Sequence, residues 1–427
     1  MNTKELKKAL LSGAYDERFT YIYGTSALER QKARYAKAID EFEALYGAER
    51  EVALYSVAGR SEISGNHTDH NLGKVIAASI DLDIIAVAAP RPDCTVRIKS
   101  EGFPEDVVDL NDYTEPRTER FDRSDALIAG VAAGFRAKGY AVGGFDAYTT
   151  SNVLKGSGIS SSAAFEDMIG NILNHLYNDG TVDNVEISKL AQYAENQFFG
   201  KPCGLMDQVA CASGGIVSID FADTSAPIIE KLDFDITAAG YNLCIVNTGG
   251  NHADLTDDYA SVPAEMKKVA AHFGKPYLRE LTKEDILANI PALREECGDR
   301  AVLRALHFFD ENVRVAAQKK ALKDGNLDCF FEGVKASGRS SFCYLQNVYT
   351  TKNVAEQGLS LALCVAESFL SDKKAAWRVH GGGFAGTIQS FVPAEYAESF
   401  RSLMDSVFGE GACIVLRIRN EGAIRIL

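Results

Sequence analysis

With 427 residues, 46% of them hydrophobic and 24% charged, the chain has the make-up of a globular protein with one large or two ordinary domains. Its formal net charge of −14 argues against a nucleic-acid or anionic-membrane partner, which basic surfaces bind, and leaves room only for a small anion at a local positive site. The first eight residues lack the apolar core of a signal peptide. The most apolar stretch, residues 75–90, carries Asp81 and Asp83 and is too short to span a bilayer, and nine scattered cysteines without a CxxC pair suit reduced thiols in a cytoplasm.

Residues 26–45 read as an amphipathic helix: Ser26 and Glu29 make a capping-box pattern, and Tyr35, Ile39, Phe42 and Tyr46 share one face. Strand patterns follow at 52–57, 75–88 and 95–99, then a helix over 125–137 and a strand leading into residues 153–164. Helices are predicted over 161–177 and 187–199, and strands over 215–221 and 241–247. The second half reads as helices at 263–273, 299–323 and 355–371, with strands at 387–391, 413–417 and 423–427. The irregular alternation predicts an α+β fold. A composition change near 221–232 suggests two domains, 1–222 and 223–427.

Residues 153–164, Val-Leu-Lys-Gly-Ser-Gly-Ile-Ser-Ser-Ser-Ala-Ala, place two glycines two apart and then three consecutive serines between a strand and a helix start. Such a turn aims backbone N–H groups and a helix dipole at one spot, which suits phosphate, and its hydroxyls suit phosphate oxygens or Mg²⁺. It is not a Walker loop, because Lys155 precedes the first glycine. It is not a dinucleotide fingerprint, because Ser161 stands where the third glycine is needed. A flexible Gly/Ser linker is the plain alternative, and the apolar flanks oppose it.

Three further segments carry chemistry. Residues 58–71 run from a strand into a polar turn holding Arg60, Glu62, Asn66, His67, Asp69 and His70 between glycines. Arg60 suits a bidentate grip on an anion, while Asp69 and His67 suit sugar hydroxyls. The crowding of His67, Asp69 and His70 also admits a metal, or only a solvated turn. Glu195, at a helix end, is followed by a Pro/Gly turn that presents Gly204 and Asp207; Asp207 could act as a base and Glu195 could complete a Mg²⁺ site with a loop serine, or both could be ordinary solvated acids. Three successive glycines, Gly381, Gly382 and Gly383, mark a close backbone approach or a surface hairpin. A phosphate loop, a cation, two acids and a closing glycine loop are what phosphoryl transfer requires.

These segments resemble the GHMP kinases, and within them the galactokinase branch. Residues 59–71 are similar to that family's Gly-Arg-Val-Asn-Leu-Ile-Gly-Glu-His-Thr-Asp-Tyr-Asn. Residues 156–164 are similar to its Gly-x-Gly-Leu-Ser-Ser-Ser-Ala-Ala, and residues 381–386 to its third motif. Ala-Glu-Asn at 194–196 and Cys-Gly-Leu-Met-Asp-Gln at 203–208 resemble the galactokinase branch, as do the positions of Asn247 and Tyr259. The resemblance implies an N-terminal S5-domain-2-like α/β domain, a C-terminal ferredoxin-like domain and a site in the cleft between them. It implies an ATP- and Mg²⁺-dependent transfer to galactose, giving galactose 1-phosphate, without nucleic-acid, membrane or obligate protein partners. Asp207 would be the base and Arg60 would stabilise the phosphoryl group and help keep Asp207 ionised. His67, Asp69, Gly204 and Tyr259 would bind the sugar. Gly156, Ser157, Gly158, Ser160, Ser161 and Ser162 would hold ATP phosphates, and Ser162 and Glu195 would hold Mg²⁺.

The chain departs from the family pattern where the sugar is chosen. Asn66 replaces a sugar-binding Glu, Glu62 replaces an Asn, and His70 replaces a Tyr, so Glu62 and Asn66 are both candidate sugar contacts that could have exchanged roles. Galacturonate or arabinose are alternative substrates, and a non-catalytic sugar- and ATP-binding sensor is the alternative from another class. Ser124 and Leu127 stand where the family carries aromatic residues near adenine, and Ala385 stands where glycine is usual.

Overall fold

The computed structural model describes the whole chain except residues 154–160, 202, 225 and 251–254 and the side chain of residue 161. Among the described residues, twelve strands form two sheets. The first sheet holds β1 (Ala53–Ser64), β2 (Lys74–Pro90), β3 (Thr95–Ser100), β4 (Glu105–Asp109), β5 (Phe145–Ser151), β6 (Ile216–Asp220) and β7 (Ile228–Leu232). The second holds β8 (Tyr241–Asn247), β9 (Ala376–His380), β10 (Thr387–Pro393) and β11 (Cys413–Leu416), and β12 (Ala423–Arg425) returns to the first.

β2, 17 residues long, organises the first sheet. Its N-terminal part pairs with β6 and its C-terminal part with β5, while β1 lies along its other side and β12 lies outside β1. Side chains of a strand alternate between faces, and here both faces are dry. Ile84, Ala86 and Ala88 pack under helices Ser124–Ala137, Ser161–Tyr177 and Asn184–Tyr193. Ile85, Val87 and Ala89 pack under the N-terminal helices Thr3–Leu11, Asp16–Tyr23 and Leu28–Tyr46. Burial on both faces explains why β2 reads as a continuous apolar run rather than an alternating one.

The second sheet is antiparallel in the order β11-β8-β10-β9. Its core is shared with helices Gly358–Leu370 and Ala397–Phe408 on one side and Leu327–Ser340 on the other. Helix Asp299–Lys323 lies across the junction, with Gln318 accepting a hydrogen bond from Ser64 at the end of β1.

The α+β reading holds, and helices 161–177 and 299–323 begin and end where the periodicity puts them. Several local expectations do not. No capping box forms at Ser26 and Glu29: a 3₁₀ turn, Thr25–Ala27, precedes the helix, which starts at Leu28 with Ala27 as an N-cap making no side-chain bond. Pro263 does not open its helix but sits inside Thr256–His272. Arg60 and Glu62 lie on β1 itself rather than in a turn, because β1 runs on to Ser64. Strands from beyond residue 222, β7 and β12, complete the first sheet.

Candidate active site

β1 is bulged twice against β2, between Ala58 and Arg60 and again between Glu62 and Ser64. Bulges re-aim side chains and leave backbone groups unpaired. Here the carbonyl of Ile63 accepts from Arg378 Nη1 (3.3 Å) and Gln389 Nε2 (3.2 Å), both from the second sheet. Ser61 and His380 are linked at 3.0 Å. The second sheet is thus docked on the bulged strand, and Arg60 and Glu62, two residues apart and so on one face, both line a cavity of about 260 Å³.

Arg60 donates through Nε to Asp207 Oδ1 (2.7 Å) and through Nη2 to Oδ2 (2.8 Å), a bidentate grip. Burial works against the charge of Arg60, but the carboxylate of Asp207 outweighs it and raises the guanidinium pKa. Asp207 stands in the first turn of helix Met206–Ser213, where the helix dipole favours an anion.

His67 lines the same cavity from a left-handed backbone conformation, φ 59°. Its Nε2 lies 2.9 Å from the carbonyl of Gly382, which can only accept, so Nε2 carries the proton and Nδ1 is an acceptor. Burial, and then neighbouring His70, push its pKa down to about 4, so the ring is neutral at pH 7. Tyr259 donates to Gly383 O at 2.8 Å and packs over Gly382, where a Cβ would lie 2.2 Å from the ring. Asp69 faces Gly204, whose added Cβ would meet Asp69 Oδ2 at 3.2 Å.

Glu62 lines the cavity as well, its carboxylate paired with the fully buried guanidinium of Arg378. Burial raises its pKa, and Arg378 opposes that. Asn66, expected to touch the sugar, stands behind the wall instead. It is fully buried: its Nδ2 donates to Glu62 Oε1 (3.1 Å) and Gly381 O (2.7 Å), and its Oδ1 accepts from Ser341 (3.1 Å) and Asn347 (2.8 Å). All four hydrogen-bonding positions of the amide are used inside the protein.

Of the remaining expected residues, Glu195 is buried, with Oε1 3.1 Å from Lys201 Nζ and Oε2 2.9 Å from Gln208 Nε2. The same Gln208 nitrogen reaches Glu166 at 3.2 Å, and among the described residues buried Glu166 Oε1 has no hydrogen-bond partner. Ser162 is partly buried near the start of its helix. Gly156, Ser157, Gly158 and Ser160 lie outside the described residues, as does the side chain of Ser161. Among the described residues no group of three His, Cys, Asp or Glu side chains is arranged to hold a metal, the 67–70 turn included. Leu127 is a core residue and Ser124 donates to Asp106, so neither offers a face to a base.

Sequence reasoning missed the supports behind the wall. Helix Asp299–Lys323 carries His307, Glu311 and Gln318, which bond to Asn66 O (3.0 Å), Gly65 N (3.2 Å) and Ser64 respectively. Their signal was present as a polar stripe at helical spacing on a face that turns out to be buried. Arg378 and His380 were hidden in a strand, β9, that the pattern did not reveal.

Comparison with known proteins places this geometry. Residues 126–215 match the GHMP kinases N terminal domain, and residues 40–90 match the galactokinase galactose-binding signature. A galactokinase of Lactobacillus helveticus is 31% identical over 82% of this chain and 88% of its own. The chain is a GHMP kinase of the galactokinase branch. A Streptomyces coelicolor galactokinase is 29% identical over 86% of this chain and 92% of its own. In fold, this GHMP kinase is similar to the crystal structure of Lactococcus lactis galactokinase complexed with galactose, with a TM-score of 0.76 at 24% identity over 92% of this chain and 100% of that one. It is also similar to a mevalonate kinase structure, with a TM-score of 0.61 at 14% identity over 86% of this chain and 99% of that one. The two-domain GHMP fold follows. The galactose-binding signature spans Arg60 to Asp69, and the N-terminal domain match spans the Gly/Ser loop, Glu195 and Asp207.

Proposed function

We propose that this kinase transfers the γ-phosphoryl group of ATP to the anomeric hydroxyl of galactose, giving galactose 1-phosphate and ADP. The observation that carries the reading is the bidentate Arg60–Asp207 pair on the wall of a small cavity rich in groups suited to hydroxyls. The cavity, about 260 Å³, is smaller than the roughly 300–1,000 Å³ of typical ligand pockets, which suits a single sugar ring. The galactokinase relatives support the choice of sugar.

In this reading Asp207 takes the anomeric proton as the sugar oxygen bonds to the γ-phosphorus and the bond to the bridging oxygen breaks. Arg60 offsets charge on the transferred group. A guanidinium held on both carboxylate oxygens keeps Asp207 ionised but weakens it as a base. Phosphoryl oxygens competing for Arg60 would restore that basicity as the donor arrives. His67, Asp69, Gly204 and Tyr259 bind the sugar, while Gly156, Ser157, Gly158, Ser160, Ser161 and Ser162 hold the ATP phosphates.

Ser162 and Glu195 would hold Mg²⁺, which supplies charge neutralisation on the phosphates. The residues fit a cation: the buried carboxylates of Glu195 and Glu166 share the amide of Gln208, only Glu195 is hydrogen-bonded to a lysine, and among the described residues Glu166 Oε1 lacks a hydrogen-bond partner. Residues 1–222 and 223–427 form the N- and C-terminal domains of this reading, with β7 and β12 of the second segment crossing back to complete the first sheet. The nine unpaired cysteines suit a cytoplasmic protein, and no described helix is long and apolar enough to cross a membrane. The reading needs no nucleic acid, membrane or obligate protein partner.

The test is ATP consumption with Mg²⁺ over galactose, galacturonate, arabinose, glucose and N-acetylgalactosamine. Galactose is expected to turn over fastest. Preference for galacturonate or arabinose would move the substrate assignment, and binding of sugar and ATP without turnover would make the chain a sensor.

A further inference from the structure

We propose that Glu62 sets the sugar specificity of this cavity and that Arg378 positions it, so that the substrate is a neutral sugar with a hydroxyl facing Glu62 rather than a sugar acid. The proposal rests on the sugar-kinase reading above. Glu62 and Asn66 touch each other, and together they hold one carboxylate and one amide. The resemblance puts the acid at the position of Asn66, whereas this chain puts it at Glu62. The amide is locked behind the wall and the carboxylate lines the cavity. The acid has been relocated, not lost.

The hydrogen bonds of Glu62 are lopsided. Both of its donors, Arg378 Nη2 and Asn66 Nδ2, go to Oε1. Among the described residues nothing donates to Oε2. A carboxylate oxygen on a cavity wall needs a donor, which a sugar hydroxyl supplies. Arg378 cannot leave its place to meet a ligand: it is fully buried, and its other donors go to Val379 O (2.8 Å), Ile63 O (3.3 Å) and Ser337 Oγ (3.3 Å). Its role is to hold Glu62 ionised and aimed.

The charge around the cavity then decides against an anionic sugar. Glu62, Asp69 and Asp207 all line it, and the guanidinium of Arg60 is gripped by Asp207. A uronic acid placed against Glu62 would set two carboxylates side by side, with Arg378 screened behind one of them.

The experiment measures kcat/KM for galactose, its single-deoxy analogues at C2, C3, C4 and C6, and galacturonate. The proteins are the wild type, Glu62→Gln and the double variant Glu62→Met with Arg378→Met, which avoids stranding a buried arginine. Wild type is expected to lose about 10- to 100-fold on one deoxy analogue, the scale of a hydrogen bond to a charged group. That one penalty should shrink to a few-fold in the double variant while the others stand, and galacturonate should gain on galactose in Glu62→Gln. Should neither variant fold, Glu62→Asp, which withdraws the same charge by one methylene, gives the same reading on the same analogue. Penalties that ignore residue 62 in folded protein, or a wild-type preference for galacturonate, would overturn the proposal while the kinase reading stood. Absence of turnover on every sugar would instead remove the kinase reading, and this proposal with it.

Discussion

Asn66 donates a 3.1 Å hydrogen bond to Glu62, four residues before it, and by its other bonds ties that acid to the glycine loop and to Asn347. The pair divides two tasks: Glu62 faces the cavity, and Asn66 holds the wall together.

Asn66→Ala should therefore act on stability before specificity. It strands the part-buried Gly381 carbonyl and one buried N–H of the Asn347 amide, whose nitrogen keeps only its bond to Gly382 O, at about 1–3 kcal/mol for each unsatisfied group. We expect a urea-unfolding loss of roughly 2–4 kcal/mol, with the order of sugar preference kept at a temperature where the variant is folded. A reordered preference at unchanged stability would show that Asn66 is a direct sugar contact.

Asp207→Asn keeps the size of the side chain and removes the proposed base. Turnover should fall on the order of 10²–10⁴-fold, while galactose affinity by calorimetry changes little. Loss of binding with unchanged turnover per bound sugar would refute the base assignment.

Two glycines next to each other should fail differently. A Cβ on Gly382 would lie 2.2 Å from the ring of Tyr259, so Gly382→Ala should displace that ring and raise KM for the sugar with folding largely kept. A Cβ on Gly383, at φ 79°, would lie 2.0 Å from the backbone oxygen of Asn347. Gly383→Ala should cost about 3 kcal/mol or more in stability, by the scale of strained backbone and overpacking. Equal melting temperatures for the two variants would contradict this.

His67 and His380 have pKa values depressed to about 4 and about 3, both chiefly by burial. The unfolded chain protonates them near pH 6.5, so it binds more protons than the folded one between pH 6.5 and 4. Stability from these histidines is present above pH 6.5 and is lost as the pH falls. From pH 7.5 to 5 we expect a loss of roughly 2–4 kcal/mol, read from urea midpoints and reduced in His380→Gln. A flat profile would mean that the two rings are not buried as neutral groups.

Glu195→Gln should raise the Mg²⁺ concentration needed for half-maximal turnover by about tenfold or more, by the scale of weakened metal sites, without changing sugar affinity. An unchanged Mg²⁺ requirement would take Glu195 out of the metal site.

The sequence was most legible where one physical pattern acted alone. Helix Asp299–Lys323 is bounded where its apolar period starts and stops, and Arg60, His67, Asp69, Gly204, Asp207 and Tyr259 line one cavity as their motifs suggested. Legibility failed where tertiary packing reversed a local sign. β9, Ala-Trp-Arg-Val-His, buries an arginine and a histidine that composition assigns to solvent. The bulge at Ile63 hides the fact that β1 continues through the polar residues, so Arg60 and Glu62 read as a turn. The amide of Asn66 and the acid of Glu62 look interchangeable in a string of letters. Only their three-dimensional partners separate the one that faces a ligand from the one that faces the core.

The pairing of β12 with Tyr55, Ser56 and Val57 bears on how the protein is made. A chain emerging from the ribosome produces β1, with Arg60 and Glu62 on it, long before it produces the segment that covers that strand's outer side. In the interval the strand presents an unpaired edge, the kind of surface on which nascent chains misassociate. Maturation of the cavity that Arg60 and Glu62 line is thereby tied to the arrival of residues 423–425, so a fragment ending before them should be prone to aggregation rather than simply less active.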